Sequence, residues 1–227
     1  MKPNLFIIRL NPADFLTLGG LAVDLAAFFL FLDLPAAVPG LSFTPALGGE
    51  QRFFLAVSLM YLGMLCDAFD GLMARRFRFE SEFGRYLDGF ADVFNYLILP
   101  NLALWRLGFR GPLAGVVISL MIGCGMLRLS KFNLIGNIQD KGESKYLGLP
   151  VFWSQILFLP LYLLFWLSGG KLFYSFYFAC ALLWVIVAAA FIYNRPFFKP
   201  KNPWIIAGVT LSLSGSAFVL FLIGFHP

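Results

Sequence analysis

Seven unbroken apolar runs decide the solvent in which this chain folds. They cover roughly residues 15–32, 53–74, 85–107, 112–133, 149–167, 173–193 and 204–225, each close to the ~20 residues that a helix needs to cross a bilayer. Lipid offers no hydrogen bonds to an open backbone, so a spanning segment must be a helix or part of a closed barrel. Barrel strands alternate polar and apolar residues over about ten positions, and these runs do not. The pattern predicts an all-α, polytopic transmembrane helical bundle forming a single integral-membrane domain over 1–227. Composition agrees: 60% of the 227 residues are apolar, 13% are charged, and the mean hydropathy is +0.82, far from a soluble domain. An aromatic share of 18% suits a lipid-facing surface with belts at both interfaces. The first run reads as a span rather than a signal peptide, because 18 residues is long for the apolar core of one, Asp24 interrupts it, and "LPAAVPG" is a poor cleavage site.

Basic residues predict the orientation. Lys2, Arg9, Arg75, Arg76, Arg78, Arg85, Arg128, Lys131, Lys141, Lys145, Arg195, Lys199 and Lys201 fall in segments on one side of the spans, against Arg52, Arg106, Arg110 and Lys171 on the other. The positive-inside rule then puts the N-terminus in the cytoplasm and His226 outside, in a multi-pass protein of the plasma (inner) membrane. Inward-facing bases beside anionic headgroups account for the net charge of +5, so no nucleic-acid partner is needed to explain it. Cys66, Cys124 and Cys180 all lie inside predicted spans, which argues against a disulfide framework.

Four aspartates interrupt this apolar background within "CDAFDGLMARRFRFESEFGRYLDGFAD", residues 66–92, although a carboxylate near the bilayer core costs several kcal/mol. Asp67, Asp70, Gly71 and Ala74 recur at i, i+3, i+4 and i+7, and Gly84, Asp88 and Asp92 at i, i+4 and i+8, so each set lines one helical face. Both sets lie at the cytoplasmic ends of adjacent spans. If the faces meet, four anions converge, and they cannot all stay ionised unaided, since like charges and loss of water both disfavour the charged form. Cations or protons must accompany them. Hard oxygen ligands favour Mg²⁺ or Mn²⁺, with Ca²⁺ a possible occupant, and no Cys/His cluster competes for zinc. A two-metal site clamping a phosphate oxygen would use these carboxylates; an ion-transport path or a structural ion cluster is the alternative on spacing alone.

The pattern D-x-x-D-G-x-x-A-R, eight residues, G-x-x-x-D-x-x-x-D resembles the signature of the CDP-alcohol phosphatidyltransferases, matched by Asp67, Asp70, Gly71, Ala74, Arg75, Gly84, Asp88 and Asp92. The resemblance implies a six-span core, a homodimer, a cytoplasmic-side site, and an enzyme that moves a phosphatidyl group from a CDP-lipid to an alcohol and releases CMP. The seventh run departs from that count. Carried over by position, Asp67, Asp70 and Asp88 resemble the principal metal ligands, and Asp92 the general base, which also touches a metal. Gly71, Ala74, Arg75 and Gly84 would border the CDP-lipid, the glycines either admitting the nucleotide to the backbone or letting helices pack closely. Arg75 can pair with a phosphate, whereas Arg76 and Arg78 read as a solvated basic run facing headgroups. "NPADFLTLGG" is similar to the family's segment before the first span, with Asp14 where an Asn is usual. Its Thr17 either hydrogen-bonds the nucleotide or caps a helix. Asp24 lies outside the signature and is expected to pair with a polar group on another helix.

The acceptor is read elsewhere. "LRLSKFN" at 127–133 followed by "KYLGLP" at 145–150 is similar to the phosphatidylserine synthase branch. Arg128 and Lys131 stand one turn apart at the cytoplasmic end of a span, where a guanidinium or ammonium suits the carboxylate of L-serine; ordinary snorkelling at a helix end is the plainer reading. The expected activity is transfer of the phosphatidyl group of CDP-diacylglycerol to L-serine. The alternatives are a sister transferase using choline, glycerol 3-phosphate or inositol phosphate, and a divalent-cation or proton carrier.

Overall fold

The computed structural model describes residues 10–32, 48–136, 138–140, 143–167, 173–198 and 203–223. Its helices are α1 (Pro12–Leu32), α2 (Gly49–Phe77), α3 (Glu82–Asp92), α4 (Leu99–Arg106), α5 (Pro112–Ile135), α6 (Trp153–Leu167), α7 (Phe173–Ile192) and α8 (Pro203–Leu222). A π-helical turn, Val93–Ile98, joins α3 to α4 without a break. Among the described residues there are therefore seven continuous helical segments, one for each apolar run. Five of them, α1, α2, α5, α7 and α8, are long and apolar enough to cross a membrane. The protein is an all-α polytopic bundle, as the runs predict. Lys2, Arg9, Lys141, Lys171, Lys199, Lys201 and His226, used above for orientation, lie outside the described residues.

Three short strands were not expected from the apolar pattern. β1 (Ile138–Asp140), β2 (Glu143–Leu147) and β3 (Pro196–Phe197) form an antiparallel ribbon in the order β1-β2-β3, with Ile138 opposite Lys145 and Tyr146 opposite Phe197. They are too short and too polar to compete with the spans as a sequence signal, and they tie the connection after α5 to the end of α7. Gly148 makes this junction possible: its φ is +70°, and a Cβ there would strike the carbonyl oxygen of Phe191, so only glycine fits. Its N–H donates to Arg195 O at 3.0 Å.

Helices in lipid gain little from burying apolar surface and pack instead through small residues and polar contacts. α1 packs along α2, α2 along α8, and α5 along α7. Where α1 crosses α2, a Cβ on Gly20 would sit 3.0 Å from Cys66 Cβ; where the π turn meets α5, one on Gly125 would overlap Leu97. Ser58 on α2 and Ser214 on α8 each donate to the other's carbonyl, at 3.1 and 2.9 Å. The largest enclosed side chains, among them Trp184, Tyr61, Phe31 and Phe109, fill the interior, while Phe29, Val116, Leu127, Phe178 and Leu182 are exposed as a lipid-facing surface requires. All three cysteines are free. Asp24 does not find the polar partner expected of it: its carboxylate lies against Gly63 of α2, and Oδ1 is buried without a hydrogen bond.

The connection from α2 to α3 places the carboxylates. Arg78 closes α2 in the left-handed conformation, φ 57°, and Phe79 N–H donates back to Ala74 O at 2.9 Å. Three residues later Ser81 caps α3 by accepting from Gly84 N–H at 2.9 Å. So short a turn sends the chain straight back, and α3 then packs on α1, which itself lies along α2, and on α5.

Candidate active site

Asp67 and Asp70 stand one turn apart on α2, Asp88 and Asp92 one turn apart on α3, and the carboxylates of the two helices converge beside α1. One carboxylate oxygen from each of Asp67, Asp70 and Asp88 lies within 4.8 Å of the other two. The Asp88 and Asp92 carboxyl groups also come within hydrogen-bonding reach of Asp67. All four sequence-predicted aspartates thus meet, with Asp92 at the edge of the trio, and Asp70 is the most enclosed, 4% exposed.

Neutral donors hold the α2 pair. Thr17 Oγ1 donates to Asp70 Oδ2 at 2.5 Å, and the Tyr96 phenol donates to Asp67 Oδ2 at 2.6 Å. Thr17 therefore does not cap α1. That task falls to Asp14, whose Oδ2 accepts from Asn11 N–H at 2.8 Å in the reciprocal half of a capping arrangement. Two guanidinium groups flank the cluster: Arg75 faces Asp67, Asp70 and Asp88, and Arg128 faces Asp92. Arg75 lies over Gly71, its Nη1 3.4 Å from where a Cβ would be, whereas a Cβ on Gly84 would come within 2.9 Å of Asp14 Oδ1. Gly84 is thus a point of helix approach, and Gly71, like Ala74 half-buried, keeps the side of α2 beneath Arg75 open.

Arg128 and Lys131 share a cavity of about 510 Å³ whose lining also includes Phe132, Gly148, Tyr193 and Asn194. Arg128 is 7% exposed and Lys131 is exposed. The Arg128 guanidinium sits 4.9 Å from the Phe132 ring centre and 5.9 Å from that of Tyr146, and its Nε is buried without a partner. Burial pushes the Tyr146 phenol above its usual range, so beside Arg128 it is a neutral ring. On the other flank, α1, α2 and α8 border a groove of about 790 Å³ in which Arg75 and Arg76 stand above Leu16, Cys66, Phe69 and Trp204.

Three converging carboxylate oxygens without an imidazole form a hard, anionic donor set of the kind that suits Mg²⁺ or Mn²⁺. Asp67, Asp70 and Asp88 could hold such an ion, each with an oxygen turned toward the others.

Sequence reasoning missed Tyr96, although it continues the four-residue series Gly84, Asp88, Asp92. It missed Ser154 and Gln155 too. Pro100 has no N–H, so the carbonyls of Asn95 and Tyr96 lose the donor that a π or an α ladder would supply from that position. Ser154 Oγ donates to Tyr96 O at 2.5 Å and Gln155 Nε2 to Asn95 O at 2.9 Å. A Ser-Gln pair inside an apolar run was the available signal.

A sequence model of the CDP-alcohol phosphatidyltransferase family matches residues 10–194. That stretch contains α1 to α7, six continuous helical segments, and leaves α8 outside, so the seventh span is the one that stands apart from the six-span expectation. Over 101 residues the chain is 39% identical to the CDP-diacylglycerol--serine O-phosphatidyltransferase of Bacillus subtilis, covering 42% of this chain and 53% of that protein. It is 35% identical over 94 residues to the protein of the same name from Methanocaldococcus jannaschii, covering 41% and 43%. It is also 30% identical over 99 residues to the archaetidylserine synthase of Methanothermobacter thermautotrophicus, covering 42% and 41%. The chain spans about half the length of the curated relatives it matches.

Proposed function

The chain belongs to the CDP-alcohol phosphatidyltransferase family, and we propose that it transfers the phosphatidyl group of CDP-diacylglycerol to the hydroxyl of L-serine, releasing CMP. The observation that carries this reading is the adjacency of two sites: the carboxylate cluster of α2 and α3, and the cavity holding Arg128, whose charge faces Asp92. Relatives named as serine transferases support the choice of acceptor.

In this reading Asp67, Asp70 and Asp88, with Asp92 alongside, hold two divalent ions, Mg²⁺ or Mn²⁺. When bound, these supply positive charge to the pyrophosphate and the departing phosphate. Arg75 pairs with a phosphate oxygen above Gly71, and the apolar groove below Arg75 and Arg76 accommodates the acyl chains. Arg128 receives the serine carboxylate, with Lys131 at the rim. Asp92 accepts the proton of the serine hydroxyl as its oxygen attacks the phosphorus that bears diacylglycerol. The bond from that phosphorus to the bridging oxygen breaks, and CMP leaves with the oxygen. Thr17, which serves Asp70 directly, keeps that carboxylate in place rather than meeting the nucleotide. The site faces the cytoplasm of a plasma membrane, where the described bases Arg75, Arg76, Arg78, Arg85, Arg128, Lys131, Lys145 and Arg195 gather, and the working unit is a homodimer.

The test is CMP release from CDP-diacylglycerol by purified protein with Mn²⁺ or Mg²⁺ and a panel of alcohols. Serine should be the preferred acceptor. Preference for choline, glycerol 3-phosphate or inositol phosphate moves the chain to a sister branch, and metal flux without CMP release would instead support a carrier.

A further inference from the structure

Tyr96 is an ionisable hydroxyl deep in a membrane protein, 3% exposed, and its phenol donates to Asp67 Oδ2 at 2.6 Å. A neutral donor on Oδ2, the leading hydrogen-bond partner of this carboxylate, fixes the rotation of the group about its Cβ bond. We propose that Tyr96 is a positioning residue for Asp67, setting the carboxylate in its cation-binding orientation, and that α6 holds Tyr96 in place through Ser154 and Gln155. This rests on the reading of Asp67 as a metal ligand.

The backbone shows why Tyr96 reaches the cluster. Gly84, Asp88, Asp92 and Tyr96 are spaced by four, and on a 3.6-residue helix each such step overshoots one turn by roughly 40°. Three steps would carry Tyr96 about a third of the way round the helix from Gly84. The π turn Val93–Ile98 packs more residues into a turn, which keeps position 96 on the face of Asp92. A π turn is rare and needs support. Here Pro100 withholds the N–H that would close the ladder on Asn95 or Tyr96. Ser154 and Gln155 take those carbonyls instead, and Gln155 also donates to the Asn95 side-chain oxygen. Tyr61 of α2 anchors the same point by donating to Gln155 O at 3.0 Å. A chain of named bonds therefore runs from α6 through the π turn to one oxygen of Asp67.

Hydrogen-bond partners of metal ligands typically contribute 10- to 100-fold in metal affinity. The experiment is Mn²⁺ binding to the intact detergent-purified protein without substrates, read as loss of the free-Mn²⁺ paramagnetic resonance signal. Tyr96→Phe, which keeps the ring, should weaken binding about tenfold or more. Ser154→Ala, which leaves the phenol in place, should weaken it in the same direction and less. Tyr162→Phe, a buried tyrosine packed against Phe53, Phe54 and Phe158, should bind as wild type. At saturating Mn²⁺ the Tyr96→Phe variant should keep its KM for the acceptor. Asp67→Asn separates the two levels of the argument. If it loses Mn²⁺ while Tyr96→Phe and Ser154→Ala bind as wild type, the positioning role is wrong and the metal site stands. If Asp67→Asn also binds as wild type, Asp67 is not a ligand and the positioning role falls with it.

Discussion

Removing the Arg128 guanidinium tests the acceptor assignment at its most enclosed point. This side chain is 7% exposed, stacked near Phe132 and Tyr146, with Nε buried and unpartnered. A carboxylate entering the cavity meets a cation whose water has already been removed and one of whose donors is waiting. Such a charge-assisted hydrogen bond is worth about 1.5–3 kcal/mol, and 1.36 kcal/mol is a factor of ten. Arg128→Ala should therefore raise the serine KM about 10- to 150-fold. Arg128→Lys, which keeps the charge but loses the planar fork and the stacking, should fall between. Lys131 is exposed at the rim, where an ion pair contributes up to about 1 kcal/mol, so Lys131→Ala should cost at most about fivefold. The assay is steady-state CMP release with serine and CDP-diacylglycerol varied separately. The acceptor role is refuted if Arg128→Ala keeps its serine KM, if its donor KM rises as much, or if the loss falls only on kcat, which would make Arg128 merely the counter-charge of Asp92.

Asp70→Asn should abolish turnover and weaken Mn²⁺ or Mg²⁺ binding while the protein still inserts and folds; full activity in that variant, or activity undiminished by EDTA, would defeat the two-metal reading. Asp92→Asn should bind CDP-diacylglycerol nearly normally yet turn over about 10² to 10⁴ times more slowly, the worth of a general base; an equal loss of donor binding would move Asp92 into the metal-ligand set. In the α1–α2 contact, Gly63→Ala drives a methyl into Asp24 Oδ1 and should cost about 1–3 kcal/mol, or several degrees in Tm. In an Asp24→Ala background the same change should be nearly silent, and a thermal double-mutant cycle showing no coupling would mean the two helices separate at that point.

The spans and the carboxylate cluster were legible because both rest on short-range rules. Twenty apolar residues cannot avoid the bilayer, and aspartates at helical spacing on either side of a tight turn have little choice but to face each other. The rest depended on long-range partners that periodicity does not encode. Thr17 lies 53 residues from the Asp70 it serves. Ser154 and Gln155 act on carbonyls 58 and 60 residues away, for a reason visible only when Pro100 is seen to withhold an N–H. Asp24 misled for the same cause: a buried carboxylate ordinarily implies a partner, but this one lies against Gly63, which has no side chain to offer. The ribbon β1-β2-β3 is too short to carry a period, yet it brings Tyr146 over Arg128.

The four carboxylates are not held alike. On α2, Asp70 and Asp67 each accept a hydroxyl donor, from Thr17 on α1 and Tyr96 on the π turn. Asp88 and Asp92 on α3 lie within hydrogen-bonding reach of Asp67 and face charge, Arg75 toward Asp88, as toward the α2 pair, and Arg128 toward Asp92. A carboxylate tied through one oxygen keeps its orientation whether or not a cation is present, as suits a ligand that must be ready before substrate arrives. A neighbouring charge, by contrast, sets no single orientation. Asp92 lies outside the trio and faces the cavity's arginine, which suits it, rather than Asp67 or Asp70, to the proposed role of proton acceptor. Hydroxyl donors along α2 thus fit the proposed roles of Asp67 and Asp70 as ligands set in advance, and the guanidinium beside Asp92 fits its proposed role as proton acceptor, with Asp88 between them.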